Sequence, residues 1–247
     1  MVLIIRFWHS RVKSASLYRA DTGQKPTNVI VSMYDSIVSM EKQLASIKTW
    51  LGSGSINIFG LPLSGKDTVG KRLADDLEGI YVSSGEILRT AENTGTTILD
   101  MSSGHWVPQQ QFFDIVLPYF AQPELDGRPL VLGGVGRWSG EETQTMTALV
   151  GSGHETRAVV FLELSDEEIQ ARFEAEHDMK ERGNRRDDAD FSLVESRIRE
   201  FREKTTPVLD EYDRLGLLVR VNAAGPRDDV YSRVLGALQK QSARDAK

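Results

Sequence analysis

The chain has 247 residues, 40% hydrophobic and 27% charged, which is enough for one substantial α/β domain and unlike a disordered or fibrous sequence. Its net charge of −6 argues against a dedicated nucleic-acid binder, which carries a basic excess. The absence of cysteine excludes a disulfide framework, a cysteine-ligated zinc and thiol catalysis, the four histidines are scattered, and no apolar run approaches the roughly 18 residues that span a bilayer.

Residues 1–28 contain Arg6, Arg11, Lys13 and Arg19 with no acid before Asp21, and read as a basic, disordered extension. An organellar transit peptide is the alternative, since such peptides are Arg- and Ser-rich and acid-poor. The polar stretch 21–28 reads as a linker. Ile37, Met40, Leu44, Ile47 and Leu51 recur at helical spacing, so 29–54 reads as an amphipathic helix closed by Gly52 and Gly54. A domain over 55–241 and a short tail over 242–247 follow.

Within that domain 56–59 is a short β-rich run, and 68–77 has helical periodicity. The runs 129–132 and 158–162 read as buried strands, and Ser165 with Glu168 forms a capping box for the next helix. Val194, Ile198, Phe201, Thr205, Leu209 and Tyr212 mark a long amphipathic helix, bent at Pro207. A last strand at 217–221 and a helix at 228–238 close the pattern. Strands separated by helical crossovers imply a parallel sheet with helices on both faces.

Gly60, Leu61, Pro62, Leu63, Ser64, Gly65, Lys66, Asp67 and Thr68 lie between a predicted strand and a predicted helix. That is the setting of a phosphate-binding loop. The two glycines permit conformations that turn backbone N–H groups toward phosphate oxygens, and the helix N-terminus adds partial positive charge. Lys66 suits the β- and γ-oxygens, and Thr68 suits the magnesium shell. The bland alternative is a glycine-rich turn with a solvated lysine.

A hydroxyl two residues after the lysine resembles G-x-P-x-x-G-K-x-T of the adenylate kinases and related nucleoside monophosphate kinases. Tyr81, Val82, Ser83, Ser84, Gly85, Glu86 and Arg89 resemble the family's S-T-G-[DE]-x-L-R, which closes around the acceptor monophosphate. Gly104, Trp106, Val107 and Pro108 resemble G-x-x-V-P, which lines the acceptor base, although Trp106 and Phe112 also read as core. Leu132 to Arg137 falls where the family has L-D-G-F-P-R; Arg172, then Arg185 and Arg186 with two aspartates, Arg197, and Thr205 with Pro207 resemble the arginines and T-x-P that follow.

The resemblance implies a P-loop NTPase-type α/β fold with a short lid near 176–188 and a compact acceptor-binding region near 83–110. It implies magnesium-dependent phosphoryl transfer from ATP to AMP or another nucleoside monophosphate by a cytoplasmic monomer, without nucleic-acid or membrane partners. Lys66, Arg137, Arg185, Arg186 and Arg197 would be catalytic, residues 60–68 with Arg172 would hold ATP, and Ser84, Gly85, Arg89, Trp106, Val107, Arg137 and Glu141 would hold the acceptor. The chain departs from the family at Gly133, where the family has an aspartate, at Glu141, near a base-reading glutamine, and at Glu176, near a lid arginine. Glu141 reads as an altered base reader, as a solvated first-turn acid, or as yielding its role to Gln144. Alternative functions are a kinase of another small metabolite and a nucleotide-binding regulator without turnover.

Overall fold

The computed structural model describes residues 28–97, 107–178 and 191–246. Trp106, Arg185, Arg186 and most of the expected lid lie outside the described residues. The chain divides into two compact units, 1–45 and 46–247. The division falls inside helix α1 (Asn28–Leu51), whose last turn belongs to the second unit and buries Ile47 and Leu51 there.

The second unit alternates as expected. Strand β1 (Ser55–Gly60) leads through a glycine loop into α2 (Lys66–Asp76), β2 (Ile80–Val82) and α3 (Ser84–Asn93). Helix α4 (Gln109–Ile115) and two 3-10 turns precede β3 (Leu130–Leu132), and α5 (Glu141–Gly151) leads to β4 (Thr156–Glu163). Then come α6 (Asp166–Asp178), α7 (Phe191–Glu200), a π-helical turn (Phe201–Thr205), α8 (Thr206–Arg214), β5 (Leu218–Asn222) and α9 (Arg227–Asp245).

The five strands form one parallel sheet in the order β2-β3-β1-β4-β5. The first strand is therefore central, with Ile56 paired to Val131 on one side and Ala158 on the other. A strand buried on both faces cannot show the period-2 alternation of a half-exposed one, and β1 is buried throughout its first five residues, polar only at Ser55 and Asn57. Ile56 and Ile58 are fully buried, while Phe59 packs on Tyr212 of α8 at 6.1 Å between ring centroids. Each such buried side chain contributes about 1.5–3 kcal/mol. Helices α2 and α9 meet through Tyr231, whose hydroxyl donates to Asp76 at 2.5 Å.

Three local details depart from the sequence reading. β2 is a strand of three residues, too short for a periodic signal. The segment expected as a tail from 242 is the last turn of α9, where Ser242 is buried and Asp245 accepts from the Trp50 indole at 2.8 Å. The bend expected at Pro207 takes the form of the π turn just before it. Proline donates no N–H and its ring crowds the carbonyl four residues back, so the preceding turn widens.

Candidate phosphoryl-transfer site

The site forms where β1, β2 and β3 end at their carboxyl edge, the usual place for ligands in an open parallel sheet. After Gly60 the chain turns through Leu63 and Gly65, both left-handed at φ 66° and 82°, and enters α2 at Lys66. Glycine takes that conformation freely, whereas leucine does so at a cost of about 1–2 kcal/mol. Arg172 of α6 offsets the cost from outside: one guanidinium nitrogen donates to the Leu63 carbonyl at 2.9 Å and another to the Ala223 carbonyl beyond β5. A Cβ on Gly60 would meet the Ser64 Oγ at 2.3 Å, so the first glycine makes room for the loop to fold back. That Ser64 hydroxyl is 2% exposed and has no partner, as expected of a cradle that completes its hydrogen bonds only around a ligand.

Lys66 points across the loop to the end of β3, where its ammonium approaches the Gly133 carbonyl at 3.4 Å and pairs with the Asp67 carboxylate. Thr68, one residue further, is exposed in the first turn of α2, where amides lack intrahelical partners. Asp67 also accepts from the Tyr81 hydroxyl at 2.7 Å. Burial, and then the Asp67 charge, push the Tyr81 phenol well above its ordinary range, so it stays a donor.

Arg137 reaches the site from the loop after β3. Its Nε donates to the Gly134 carbonyl at 2.9 Å. Burial and then the positive charge of Arg197, near the end of α7, hold its pKa below the usual guanidinium value, while Asp67, Tyr81 and Glu141 act oppositely. An arginine remains charged under such pressure, so the Arg137 and Arg197 guanidiniums add their positive charge at this end of the site.

The Arg137 backbone is fastened from two sides. One Glu141 carboxylate oxygen accepts from the Arg137 and Trp138 amides at 2.7 and 3.0 Å, and the residue is only 3% exposed. The expectation of a solvated first-turn acid does not hold, because the carboxylate caps its own approach loop. The π turn supplies the second fastening: Thr205 Oγ1 donates to the Arg137 carbonyl at 3.2 Å, and the Lys204 ammonium lies 4.4 Å from the centre of the Trp138 ring. Asn57, the amide in β1, braces the same loop by exchanging both hydrogen bonds with the Val135 backbone.

On the acceptor side Ser83 caps α3 by accepting from the Glu86 amide at 3.2 Å. Ser84 is buried at the first position of that helix. Arg89, one turn on and exposed, lies against Gly85, where a Cβ would stand 3.2 Å from a guanidinium nitrogen. Val107 is buried in the cluster of Val82, Leu88, Phe112 and Leu132 beneath this region. The structure thus brings Lys66, Asp67, Arg137 and Arg197 together, with residues 60–65 beside them. Arg172 stands behind the loop. Sequence reasoning passed over Tyr81 and Asn57 as site residues; the signals available were two glycines, Gly70 inside a helix and Gly133 after a strand, and a lone amide in an apolar strand.

A model of the AAA domain matches residues 59–193. The adenylate kinase of Thermus thermophilus is 30% identical over 190 residues, covering 74% of this chain and 96% of that protein. Those of Gemmatimonas aurantiaca and Micrococcus luteus are 28% and 30% identical, covering 74% and 73% of this chain and 98% and 88% of theirs.

Proposed function

The chain belongs to the adenylate kinase family, and from that premise we propose that it transfers the γ-phosphoryl group of ATP to AMP or another nucleoside monophosphate, with magnesium. As a phosphotransferase of this type it has little covalent chemistry to perform; its residues position two phosphate chains and offset the charge that develops between them. The observation that carries the reading is the convergence of Lys66 with Arg137 and Arg197, from three separate segments, on the end of a strained phosphate loop.

In this reading residues 60–68 cradle the ATP phosphates and Lys66 meets the β- and γ-oxygens. Arg137 and Arg197 stand over the group in transit. An acceptor phosphate oxygen attacks the γ-phosphorus, the bond to the β,γ-bridging oxygen breaks, and two nucleoside diphosphates leave. Ser84, Gly85, Arg89 and Val107 hold the acceptor, while Arg172 acts on ATP through the loop it ties. Arg185 and Arg186 are assigned with Lys66, Arg137 and Arg197 as catalytic cations, and Trp106 to acceptor binding.

The donor set suits magnesium, which binds few protein oxygens and keeps its waters and phosphate ligands: a threonine hydroxyl and a carboxylate stand beside the lysine. Thr68 and Asp67 would hold it or its waters, and when bound it neutralises phosphate charge. The reaction suits a cytoplasmic enzyme acting as a monomer. Among the described residues no helix is long and apolar enough to cross a membrane.

A coupled assay with ATP and a panel of monophosphates tests the reading. ADP is expected from AMP, and Lys66→Met is expected to abolish turnover without unfolding the protein. No diphosphate from any acceptor, or full turnover by the variant, would overturn it.

A further inference from the structure

Lys66, the cation that should meet the phosphates, is paired with an acid supplied by the next residue. Against a bare triphosphate that acid is a liability, since it competes for the lysine and its like charge repels the ligand. The arrangement is nevertheless built with care. Tyr81 reaches Asp67 from β2 through a slot made by two glycines on different elements. A Cβ on Gly70 of α2 would stand 2.4 Å from the ring, and one on Gly133, just after β3, would stand 2.1 Å from the hydroxyl. Any other residue at either position would displace the tyrosine. The Lys71 ammonium covers the ring from outside, 5.6 Å from its centre.

A first-turn acid stabilising its own helix would need none of this, because the helix dipole alone would favour it. Two hydroxyl side chains belong to the same loop and first helical turn: Thr68, exposed one residue on, and Ser64, buried and unpartnered. An acid among phosphate-binding groups becomes favourable when a divalent cation stands with the phosphates, because the ion's charge then dominates the local field.

We propose that Asp67, oriented by Tyr81 in the Gly70–Gly133 slot, is the positioning residue that makes ATP binding depend on magnesium. It does so twice over. Without the cation Asp67 engages Lys66 and opposes the triphosphate. With it, the carboxylate turns to the ion's water shell and Lys66 is released to the phosphates. The proposal rests on the ATP-binding reading above and assigns its magnesium dependence to a named carboxylate.

Titration calorimetry of the full chain with ATP, in EDTA and in excess magnesium, is the test. The wild type is expected to bind magnesium–ATP more tightly than free ATP. In Asp67→Asn, affinity for free ATP should rise, affinity with magnesium should fall, and their ratio should drop about tenfold, equal to about 1.4 kcal/mol. Tyr81→Phe, which keeps the ring and loses the hydroxyl, should move the ratio in the same direction by a smaller factor, and serves if Asp67→Asn does not fold. Should the ratio stay within about threefold of wild type in the folded variants, Asp67 merely pairs with Lys66 and the proposal fails. A wild type that binds ATP under neither condition would instead overturn the kinase reading.

Discussion

At the scale of single residues, charge and hydrogen-bond capacity decide what each group can do. Arg137→Ala and Arg197→Ala should each lower kcat by about two to three orders of magnitude, the scale for losing one preorganised charge stabiliser; a tenfold or smaller effect at both would reduce them to ordinary ion-pair residues. Glu141 makes a different prediction. Burial raises its carboxyl above the ordinary carboxylate value, more than the two backbone N–H groups and Arg137 lower it. The native state therefore holds that proton more tightly than the unfolded chain, so this contribution to stability is present at acid pH and is lost as pH rises through the raised value. Glutamine keeps an oxygen for both amides without a charge to bury. Glu141→Gln should have a Tm at or above wild type at pH 8, with the difference closing toward pH 4, and kcat/KM ratios among AMP, GMP, CMP and UMP should change by less than about threefold, under 1 kcal/mol. A larger change in those ratios would mean that Glu141 reads the base after all.

At the scale of elements, the site depends on connections that run behind it. Arg172 joins α6 to the phosphate loop and to the segment after β5, holding Leu63 where a leucine resists being. Removing hydrogen bonds from a charged donor costs about 1.5–3 kcal/mol, and the loop would relax. Arg172→Ala should raise KM for ATP about tenfold with a much smaller change in kcat, since the loop binds phosphate in ground state and transition state alike. Lysine should not rescue it, because one ammonium replaces a planar fork that spans two carbonyls. A fall in kcat with KM unchanged would instead make Arg172 a direct stabiliser of the transferring group. The π turn plays the corresponding part for Arg137: Pro207 widens the helix where Thr205 must reach the Arg137 carbonyl. In the sequence that helix reads as continuous, because apolar spacing alone does not distinguish a widened turn from a regular one.

At the scale of the molecule, the described site residues all lie in the unit from Ser46 onward. Deleting residues 1–28 should therefore leave kcat and Tm within error of the full chain, measured by the same coupled assay and by calorimetry. A large fall in either would show that the extension supports the enzyme. The central place of β1 in the sheet also explains why the phosphate loop was so legible: strand, glycine turn and helix are contiguous in the chain, so their chemistry appears as one motif.

The sequence alone therefore determined the class of the sheet, the phosphate loop, the order of the arginine-bearing segments and, through their resemblance, the family. These are local signals, carried by spacing and by the special backbone freedom of glycine. Tertiary structure decided what depends on residues far apart in sequence: that Glu141 caps the Arg137 loop, that Arg172 stands behind Leu63, and that Tyr81 enters between Gly70 and Gly133 to hold Asp67. Gly133 reads along the chain as the loss of an acid. In space it is the opening through which a tyrosine reaches another acid, because a missing Cβ has meaning only in relation to what occupies its volume.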